Sequence, residues 1–336
     1  MLFKRSSRVE LVLGVTSGMQ LRQIDELTTT AEKMNIKKVW IGDDILGAHD
    51  VLTVASSILL KHGNVSVGIG VTSPLVRNIT TIARASIALA QIGGDDRFSL
   101  GLGVGGLQDL RKIGISLKNP TSMLDTASTL LRSIWKSDKV TLETDEFKLS
   151  NYRSSTNGRH RIPIIFGVRG PKLLNLAGEI ADGIVLSGPM TYLKKAIGLV
   201  RNSLEKNERP IGDFIFVVWI PTMLVLQKSD LSFVKQIVAF VLSDTPKNVL
   251  EMAELDLPRV ARVKRAFQSG EAASAARLVD EILLNETAVY GDAERICESL
   301  SAFERMGVQE VVFGPPYGTK PLTALEEVTK AWRDPE

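Results

Sequence analysis

Two apolar segments that run into glycine-rich sequence constrain the fold of this chain more than any other feature. Residues 65–74 read VSVGIGVTSP and residues 98–106 read FSLGLGVGG. Apolar residues then return at helical spacing between Ile79 and Ala90. This order of buried strand, loop and helix predicts an α/β barrel, in which ligands bind where the strands end. Glycine at those ends lets a planar ring or a phosphate approach the main chain closely.

Eight segments are predicted as strands, and amphipathic segments such as residues 21–34 and 173–180 lie between them. An alternation repeated eight times favours a closed (β/α)8 TIM barrel over an open sheet. A bare barrel takes about 250 residues, so part of this 336-residue chain is additional sequence. The predicted strands are residues 10–15, 38–41, 65–70, 98–103, 162–166, 183–186, 214–221 and 310–313.

Two segments are predicted to be insertions in a single barrel domain that spans residues 1–336. Residues 139–150 alternate around Thr144-Asp145, which predicts a β-hairpin. Residues 244–285 are rich in Ala, Leu, Glu and Arg, and they predict several helices before the last strand. Asp292 is well placed to cap the helix that follows.

The composition argues against several classes of partner. Lys and Arg exceed Asp and Glu by 41 − 38, or +3, which gives no electrostatic case for nucleic acid. Cys297 is the only cysteine, so no intrachain disulfide is possible and a cytoplasmic location is predicted. Residues 1–8 are basic, but the apolar run 9–15 is too short for a signal peptide. The longest apolar segment, residues 214–226, is too short for a bilayer, so no membrane partner is predicted.

Two adjacent carboxylates follow the second predicted strand. Asp43 and Asp44 come directly after Gly42, so they are expected at the barrel mouth. There they could exchange a proton with a substrate or hold a polar edge of a cofactor. The alternative is that one of them caps the helix starting near Asp50 and the other is solvated.

The glycines after strands three and four predict space for a flat ligand. Gly70, Val71 and Thr72 form a strand end that presents backbone N–H groups; the alternative is an ordinary strand exit with a Ser-Pro turn. Residues 101–106 resemble a dinucleotide fingerprint, but their glycine spacing is wrong and no helix clearly follows at once. We therefore reject a Rossmann-type site.

The strongest anion-binding signal is residues 164–172, IIFGVRGPK. A strand leads into a glycine turn, and Pro171 takes the first position of a predicted helix. The free N–H groups at a helix N-terminus attract anions, and Arg169 and Lys172 add full charges. The alternative is an ordinary loop with surface cations. The histidines, at positions 49, 62 and 160, lack the spacing of metal ligands, so no metal site is predicted.

Taken in order, these motifs resemble the luciferase-like flavin and coenzyme F420 oxidoreductase superfamily over nearly the whole chain. Residues 40–44, WIGDD, resemble its W-I-T-D-H motif, and residues 68–74, GIGVTSP, resemble its G-P-G-V-T-N-P motif. Residues 98–103, 162–172 and 307–314 resemble its fourth strand, its phosphate-side segment and its last unit. Within the superfamily, the nearest resemblance is to the 5,10-methylenetetrahydromethanopterin reductases.

The resemblance implies a TIM barrel that binds coenzyme F420, or alternatively FMN, in its mouth. It also implies a small-molecule substrate such as a pterin, a homodimer or higher homo-oligomer, and a cis peptide bond between Gly70 and Val71. Asp43 and Asp44 are the implied catalytic residues, and Arg77 is expected to join the cations that meet the anionic tail of F420. The implied cofactor-binding residues are Gly70, Val71, Thr72, Gly103, Gly105, Gly106, Gly167, Val168, Arg169, Gly170, Pro171, Lys172 and Ser187.

Three polar positions of those reductases differ in this chain. Their acid at the end of strand one falls on Gly14, their acid after strand four on Gly106, and their histidine after strand two on Asp44. Hydride transfer mainly needs orientation, whereas opening a methylene bridge also needs a proton donor, for which Asp43 or Asp44 would serve. Three functions stay open: an F420-dependent oxidoreductase, an FMN-dependent monooxygenase or reductase, and a cofactor-binding homologue without turnover.

Overall fold

The structure is a computed structural model in which residues 9–94, 96–155 and 160–333 are described. The basic segment 1–8, which entered the signal-peptide argument, lies outside these ranges. Across the described ranges, no helix is both long enough and apolar enough to cross a bilayer.

Eight of the twelve strands in the described chain close into a parallel barrel, which confirms the predicted fold. Neighbours follow the order β1-β12-β9-β8-β7-β4-β3-β2, and β2 pairs with β1 to close the ring. The strands are β1 Glu10–Thr16, β2 Lys38–Gly42, β3 Ser66–Ile69, β4 Phe98–Gly103, β5 Val140–Glu143, β6 Lys148–Tyr152, β7 Ile164–Gly167, β8 Gly183–Leu186, β9 Ile215–Val218, β10 Thr222–Leu224, β11 Val289–Gly291 and β12 Glu310–Phe313.

Helices follow the barrel strands and pack around them. Their apolar faces join the outer faces of the strands in one large core. The helices are α1 Leu21–Lys33, α2 Val51–Lys61, α3 Ile79–Gly93, α4 Leu107–Lys112, α5 Pro120–Trp135, α6 Pro171–Ile180, α7 Met190–Lys206, α8 Asp230–Asp244, α9 Lys247–Met252, α10 Leu257–Gln268, α11 Ala272–Arg277, α12 Glu281–Thr287, α13 Ala293–Arg305 and α14 Pro321–Arg333, with a 3-10 turn at Ile211–Asp213.

Side-chain caps set where several of these helices begin. The carboxylate of Asp50 accepts two backbone N–H groups at the start of α2, and the side-chain oxygen of Asn78 accepts the Thr80 N–H at the start of α3. Asp292 caps α13, as predicted. Each cap satisfies backbone donors that have no partner within the helix and contributes about 1 kcal/mol. Because α2 and α3 start where β2 and β3 have ended, the caps also fix the loops of the mouth.

Both predicted insertions are present. β5 and β6 form the hairpin, with the Thr144 N–H donating to the Phe147 carbonyl at 2.8 Å. The helical insertion starts earlier than residue 244, because α8 already begins at Asp230 and packs on α10 and α11. Before it, β10 pairs in parallel with β11, a pair that the sequence did not predict.

Inward-facing side chains fill the interior of the barrel. Alternate residues of each strand face inward, so the interior cluster is separate from the outer core. Burying each large apolar side chain stabilises the fold by about 1.5–3 kcal/mol. The interior cluster consists of Val12, Trp40, Ile165, Val185, Ile215, Val217 and Val312.

A buried polar layer closes the amino-terminal end of the barrel. Lys38 Nζ lies 2.9 Å from Glu310 Oε1, and Trp40 Nε1 donates to Glu310 Oε2 at 2.6 Å. Burial raises the pKa of Glu10, the charge of Glu310 raises it further, and the charge of Lys38 opposes both. In TIM barrels this end serves stability, whereas ligands bind at the opposite end.

The prediction of a cis peptide bond between Gly70 and Val71 is wrong, because this bond is trans. Parallel pairing continues through this segment instead of breaking into a bulge. The Gly70 N–H donates to the Ile41 carbonyl at 2.7 Å, and the Thr72 N–H donates to the Gly101 carbonyl at 2.9 Å. These bonds hold the chain extended past the end of β3.

Candidate functional site

An indole ring crosses the mouth of the barrel. Trp219 follows β9 and continues the inward alternation of Ile215 and Val217, against which it packs. The ring reaches Gly14 on β1 and Gly70 after β3, where an added Cβ would lie 2.8 Å and 2.5 Å from indole carbons. Glycine at these two positions therefore admits the ring.

Val71 covers the other side of the mouth. A Cβ added to Gly101, Gly103 or Gly167 would lie 3.0, 2.7 or 2.5 Å, respectively, from a methyl carbon of Val71. The glycines on β4 and β7 thus leave room for this side chain.

The bare backbone that the sequence offered to a ligand is covered by two side chains of the protein itself. Trp219 is half-buried, so part of this residue remains accessible to solvent. A ligand would therefore meet the outer surfaces of Trp219 and Val71 rather than the glycine backbone beneath them. Trp219 lies outside the motifs that predicted the site, although its inward register after Ile215 and Val217 was a usable signal.

Tyr317 seals the seam between β1 and β12. Its buried ring packs edge-on against the ring of Phe313, with 5.6 Å between the ring centroids, and its hydroxyl donates to the Gly14 carbonyl. Burial raises the pKa of Tyr317 well above its ordinary value, so the hydroxyl stays protonated. An added Cβ at Gly14 would collide with the Gly314 carbonyl oxygen. The position where the resemblance places an acid is therefore closed by packing.

Asp43 lies at the mouth but is held in a buried ion pair. Its side chain is 3% exposed, and both carboxylate oxygens accept from Arg77. Thr72 also donates to it, at 2.7 Å. Arg77 bridges on to Asp50 at 2.8 Å. Burial alone would lower the pKa of Arg77, but the two carboxylates outweigh it and raise that pKa. These contacts engage Arg77 in this network rather than leaving it open to an anionic tail.

Asp44 is exposed in the loop after β2. Its backbone N–H donates to the Ser17 hydroxyl at 2.9 Å, and its carboxylate accepts the Leu46 N–H at 3.2 Å. The other carboxylate oxygen lies beside Gly18. Of the two predicted acids, Asp44 is thus the accessible one, and its catalytic role stays a prediction.

The loop after β4 differs from the expectation in one respect. Gly103 ends β4, and Gly105 adopts a φ of +90°, which favours glycine. Gly106 then caps α4, so a short helix does begin at once. The Asp109–Lys112 ion pair at 3.0 Å supports that helix. Gly106 is exposed, and an Asp109 carboxylate oxygen lies 3.1 Å from where a Cβ on Gly106 would be, so a neighbouring acid approaches the position that the resemblance gives to an acid.

The predicted anion loop forms the N-terminus of α6. Gly170, with a φ of +88°, is the N-cap residue, and Pro171 is the first helical residue as predicted. Lys172 is exposed and Arg169 is half-buried. Within the described chain, the Arg169 side chain makes no hydrogen bond or ion pair. The loop therefore combines free backbone donors with two uncompensated charges.

A buried hydroxyl points to the same loop. Tyr192, on the adjacent helix α7, is fully buried; its hydroxyl oxygen lies near the Gly170 N–H, and its proton has no acceptor among the described residues. Burial raises the pKa of Tyr192 to about 12, whereas the charge of Arg169 and the nearby Gly170 amide act in the opposite direction. A buried hydroxyl proton without an acceptor is costly, and an anion bound at this loop would accept it.

The remaining predicted residues divide between the core and the mouth. Val168 is buried in the outer core, so its side chain does not face the mouth. Ser187 is half-buried after β8, the barrel neighbour of β7, and so it lies on the loop adjacent to that of Arg169. No group of three or more His, Cys, Asp or Glu side chains suited to a metal occurs among the residues whose positions are described.

A family comparison agrees with this geometry. The model of the luciferase-like monooxygenase family matches residues 6–310, most of the chain. The chain belongs to that family. This is the same family that the sequence motifs resemble. Because ligands bind at the carboxyl ends of the strands in such barrels, the barrel mouth is the candidate active site.

Relatives and solved structures extend the likeness along the whole chain. The 5,10-methylenetetrahydromethanopterin reductase of Methanolobus tindarius is 25% identical over 304 residues, 89% of this chain and 92% of that protein. The coenzyme F420-dependent tetrahydromethanopterin reductase of Methanopyrus kandleri superposes with a TM-score of 0.86 at 21% identity, covering 96% and 98% of the two chains. An F420-dependent secondary alcohol dehydrogenase superposes with a TM-score of 0.76 at 18% identity, covering 97% and 100%.

The relatives include 5,10-methylenetetrahydromethanopterin reductases and F420-dependent glucose-6-phosphate dehydrogenases, and the structural neighbours include monooxygenases. The chain is accordingly an oxidoreductase of this family.

Proposed function

We propose that this protein is a coenzyme F420-dependent oxidoreductase that moves a hydride between the cofactor and a small substrate, in the manner of a methylenetetrahydromethanopterin reductase. F420 as the cofactor is supported by relatives named F420-dependent glucose-6-phosphate dehydrogenases, and the type of reaction by relatives named methylenetetrahydromethanopterin reductases. A pterin is the substrate class that the reductases suggest. The changed polar residues near the mouth separate this chain from them.

The observation that carries the proposal is the unsatisfied anion loop at the start of α6. Arg169 lacks an acidic partner within the described chain, and the buried Tyr192 hydroxyl lacks a hydrogen-bond acceptor. An anionic group of a cofactor would satisfy both, with the free N–H groups of the helix and the charge of Lys172. These residues fit the acidic tail of F420, and they would also fit the phosphate of FMN.

Bound F420 would supply the hydride, and the protein would supply position and exclusion of water. Arg169 and Lys172 would hold the tail, while Trp219 and Val71 would form a dry surface under the ring. Asp43 would orient Thr72 through their hydrogen bond. Asp44 is the exposed carboxylate that would exchange a proton with the substrate.

Charge reversal at the anion loop tests the proposal. The purified protein is titrated with F420 and with FMN, and the titrations are repeated with Arg169→Glu and Lys172→Glu. A hydrogen bond to a charged group contributes about 1.5–3 kcal/mol, so Arg169→Glu is expected to weaken binding of the true cofactor at least about tenfold. Lys172→Glu is expected to weaken it less, because that side chain is exposed.

Lys330→Glu is the matched control. Lys330 is exposed near the carboxyl end of α14, away from the mouth, so its reversal changes the net charge equally without changing affinity. If both loop variants bind like the wild-type protein, the anion site lies elsewhere. Tight binding of FMN but not of F420 would select the FMN-dependent alternative, which a solved riboflavin lyase with modified FMN at a TM-score of 0.67 makes worth testing. Bound cofactor without hydride exchange toward any acceptor would favour a homologue without turnover.

The assembly and location of the protein stay predictions. We expect a homodimer or higher homo-oligomer in the cytoplasm, with a small-molecule substrate and no nucleic-acid or membrane partner. Light scattering of the purified protein measures the oligomeric state, and cell fractionation measures the location.

A further inference from the structure

We propose that Trp219 is an aromatic platform on which a flat conjugated ring stacks, either the ring of the cofactor or that of a pterin substrate. The inference rests on the proposed function, because it needs such a ring in the barrel mouth. It assigns a ligand contact to a residue that lies outside the motifs of the sequence analysis.

The orientation of the indole is the first support. The benzo carbons Cζ2, Cζ3 and Cη2 face Gly14, Gly70 and Gly42, respectively. The glycines thus hold the inner edge of the ring against three neighbouring strands, β1, β2 and the end of β3. A ring wedged in this way is a rigid surface, which is what stacking requires.

The exposure of the indole is the second support. Of the four tryptophans, Trp40, Trp135 and Trp332 are 0%, 1% and 7% exposed, whereas Trp219 is only half-buried. Trp40 donates its indole N–H to Glu310, but the N–H of Trp219 has no partner within the described residues. A ring that served only to fill the barrel would be buried and bonded as Trp40 is.

The chemistry of the floor is the third support. Gly14 takes the place of the acid that related reductases carry, and Asp43 is neutralised by Arg77. The surface under the mouth is therefore apolar, formed by Trp219 and Val71. Such a surface orients a conjugated ring by dispersion and quadrupole contacts, and it does not exchange protons.

Ligand affinity is the first measurement. F420, FMN and tetrahydromethanopterin are each titrated against the wild-type protein, Trp219→Phe and Trp219→Leu. Loss of an aromatic stack costs up to about tenfold in affinity, so Trp219→Leu is expected to bind the stacked ligand about five- to tenfold more weakly. Trp219→Phe keeps an aromatic face and is expected to stay within about threefold of the wild type.

Acrylamide quenching of tryptophan fluorescence lifetime is the second measurement, because it needs contact with an exposed indole. The wild-type protein is expected to show a quenchable component that Trp219→Phe lacks and that the control Trp332→Phe retains. The ligand that stacks on Trp219 is expected to protect this component. Protection by F420 or FMN identifies the cofactor ring, and protection by tetrahydromethanopterin alone identifies the substrate ring.

A double-mutant cycle separates stacking from general damage. Gly70→Ala places a Cβ 2.5 Å from Cζ3 of Trp219 and must displace the indole. It is expected to weaken binding of the same ligand about as much as Trp219→Leu does. In the Trp219→Leu background the indole is gone and only the 3.3 Å approach to the Ile41 carbonyl oxygen remains, so the same alanine is expected to weaken binding much less there.

The outcomes distinguish this inference from the proposed function. If F420 binds tightly while Trp219→Leu binds equally well and no ligand protects the indole, the platform is overturned and the proposed function stands. If F420 does not bind the wild-type protein, the proposed function fails, and the platform then stands only if FMN or tetrahydromethanopterin protects the indole. Weakened binding in Trp219→Leu with normal thermal unfolding and a non-additive cycle supports the platform.

Discussion

Arg77 joins the loops that follow β2 and β3. It contacts Asp43, which is almost fully buried, and Asp50, which is half exposed and caps α2. Thr72 completes the network through its hydroxyl. The position of the Gly70–Thr72 strand end, and hence of the mouth, therefore depends on one guanidinium.

Removal of this guanidinium should be costly. Arg77→Met leaves the charge of Asp43 buried without a partner, and loss of one partner of a buried pair costs about 3–5 kcal/mol. We expect that loss in the free energy of unfolding, measured by denaturant titration. Asp50→Asn is the matched control, because asparagine keeps the cap and a half-exposed pair contributes less than about 1 kcal/mol.

The double variant Arg77→Met/Asp43→Asn gives the critical comparison. It removes the uncompensated charge together with its partner, so it is expected to be more stable than Arg77→Met alone. Equal stability of the two variants would show that the buried charge of Asp43 does not cause the loss.

The start of α6 depends on Gly170 and on an insertion helix. Gly170 has φ +88° and ψ 148°, a region that is almost restricted to glycine. An added Cβ there would also lie 3.0 Å from the side-chain amide of Asn248 on α9. The helical insertion therefore reaches the anion loop, which a barrel without it would leave open on that side.

Glycine-to-alanine substitutions at two sites should have opposite effects. Gly170→Ala forces an unfavourable backbone conformation and is expected to destabilise the protein by about 1–3 kcal/mol and to weaken cofactor binding. Gly198→Ala lies inside α7, where an added Cβ meets no atom within 4 Å, and is expected to stabilise by about 0.5–1 kcal/mol. Thermal and denaturant unfolding measure both, and loss of stability at both sites would contradict the conformational argument.

The two ends of the barrel carry different kinds of side chains. The amino end holds the Lys38–Glu310 pair with Trp40, and the carboxyl end holds the aromatic floor and the anion loop. Glu10 belongs to the amino end, where burial and the charge of Glu310 raise its pKa. Because the Glu10 residue is exposed at the start of β1, its contribution to the pH dependence of stability is expected to be small.

Glu10→Gln should stabilise the protein at neutral pH. Because the folded pKa of Glu10 lies above the ordinary 4.5, its stabilising contribution is complete below pH 4.5 and is lost as the pH rises through the folded pKa. Glutamine does not ionise, so we expect a small gain over the wild type near pH 7 that vanishes at pH 4.5 and below. Unfolding of both proteins across this range measures the difference, and a gain that grows as the pH falls would contradict it.

Much of the fold could be predicted from the sequence because barrel strands are buried on both faces. Such strands appear as continuous apolar runs, and the predicted bounds of β4, β8 and β12 coincide with the observed ones. Short-range signals also placed Pro171 at the start of α6 and Asp292 at the cap of α13. The pairing of β10 with β11 was missed, since three-residue strands carry too little pattern.

Local pattern was enough for the closed barrel, its two insertions and the glycine turn that starts α6, because each depends on residues close together in the chain; that this turn binds an anion stays a prediction. Contacts between distant segments decided the rest. Trp219 fills the space over Gly14 and Gly70, and Arg77 neutralises Asp43. Whether a glycine leaves an open slot or admits a side chain depends on which neighbour the barrel turns toward it, and only the packed molecule settles that.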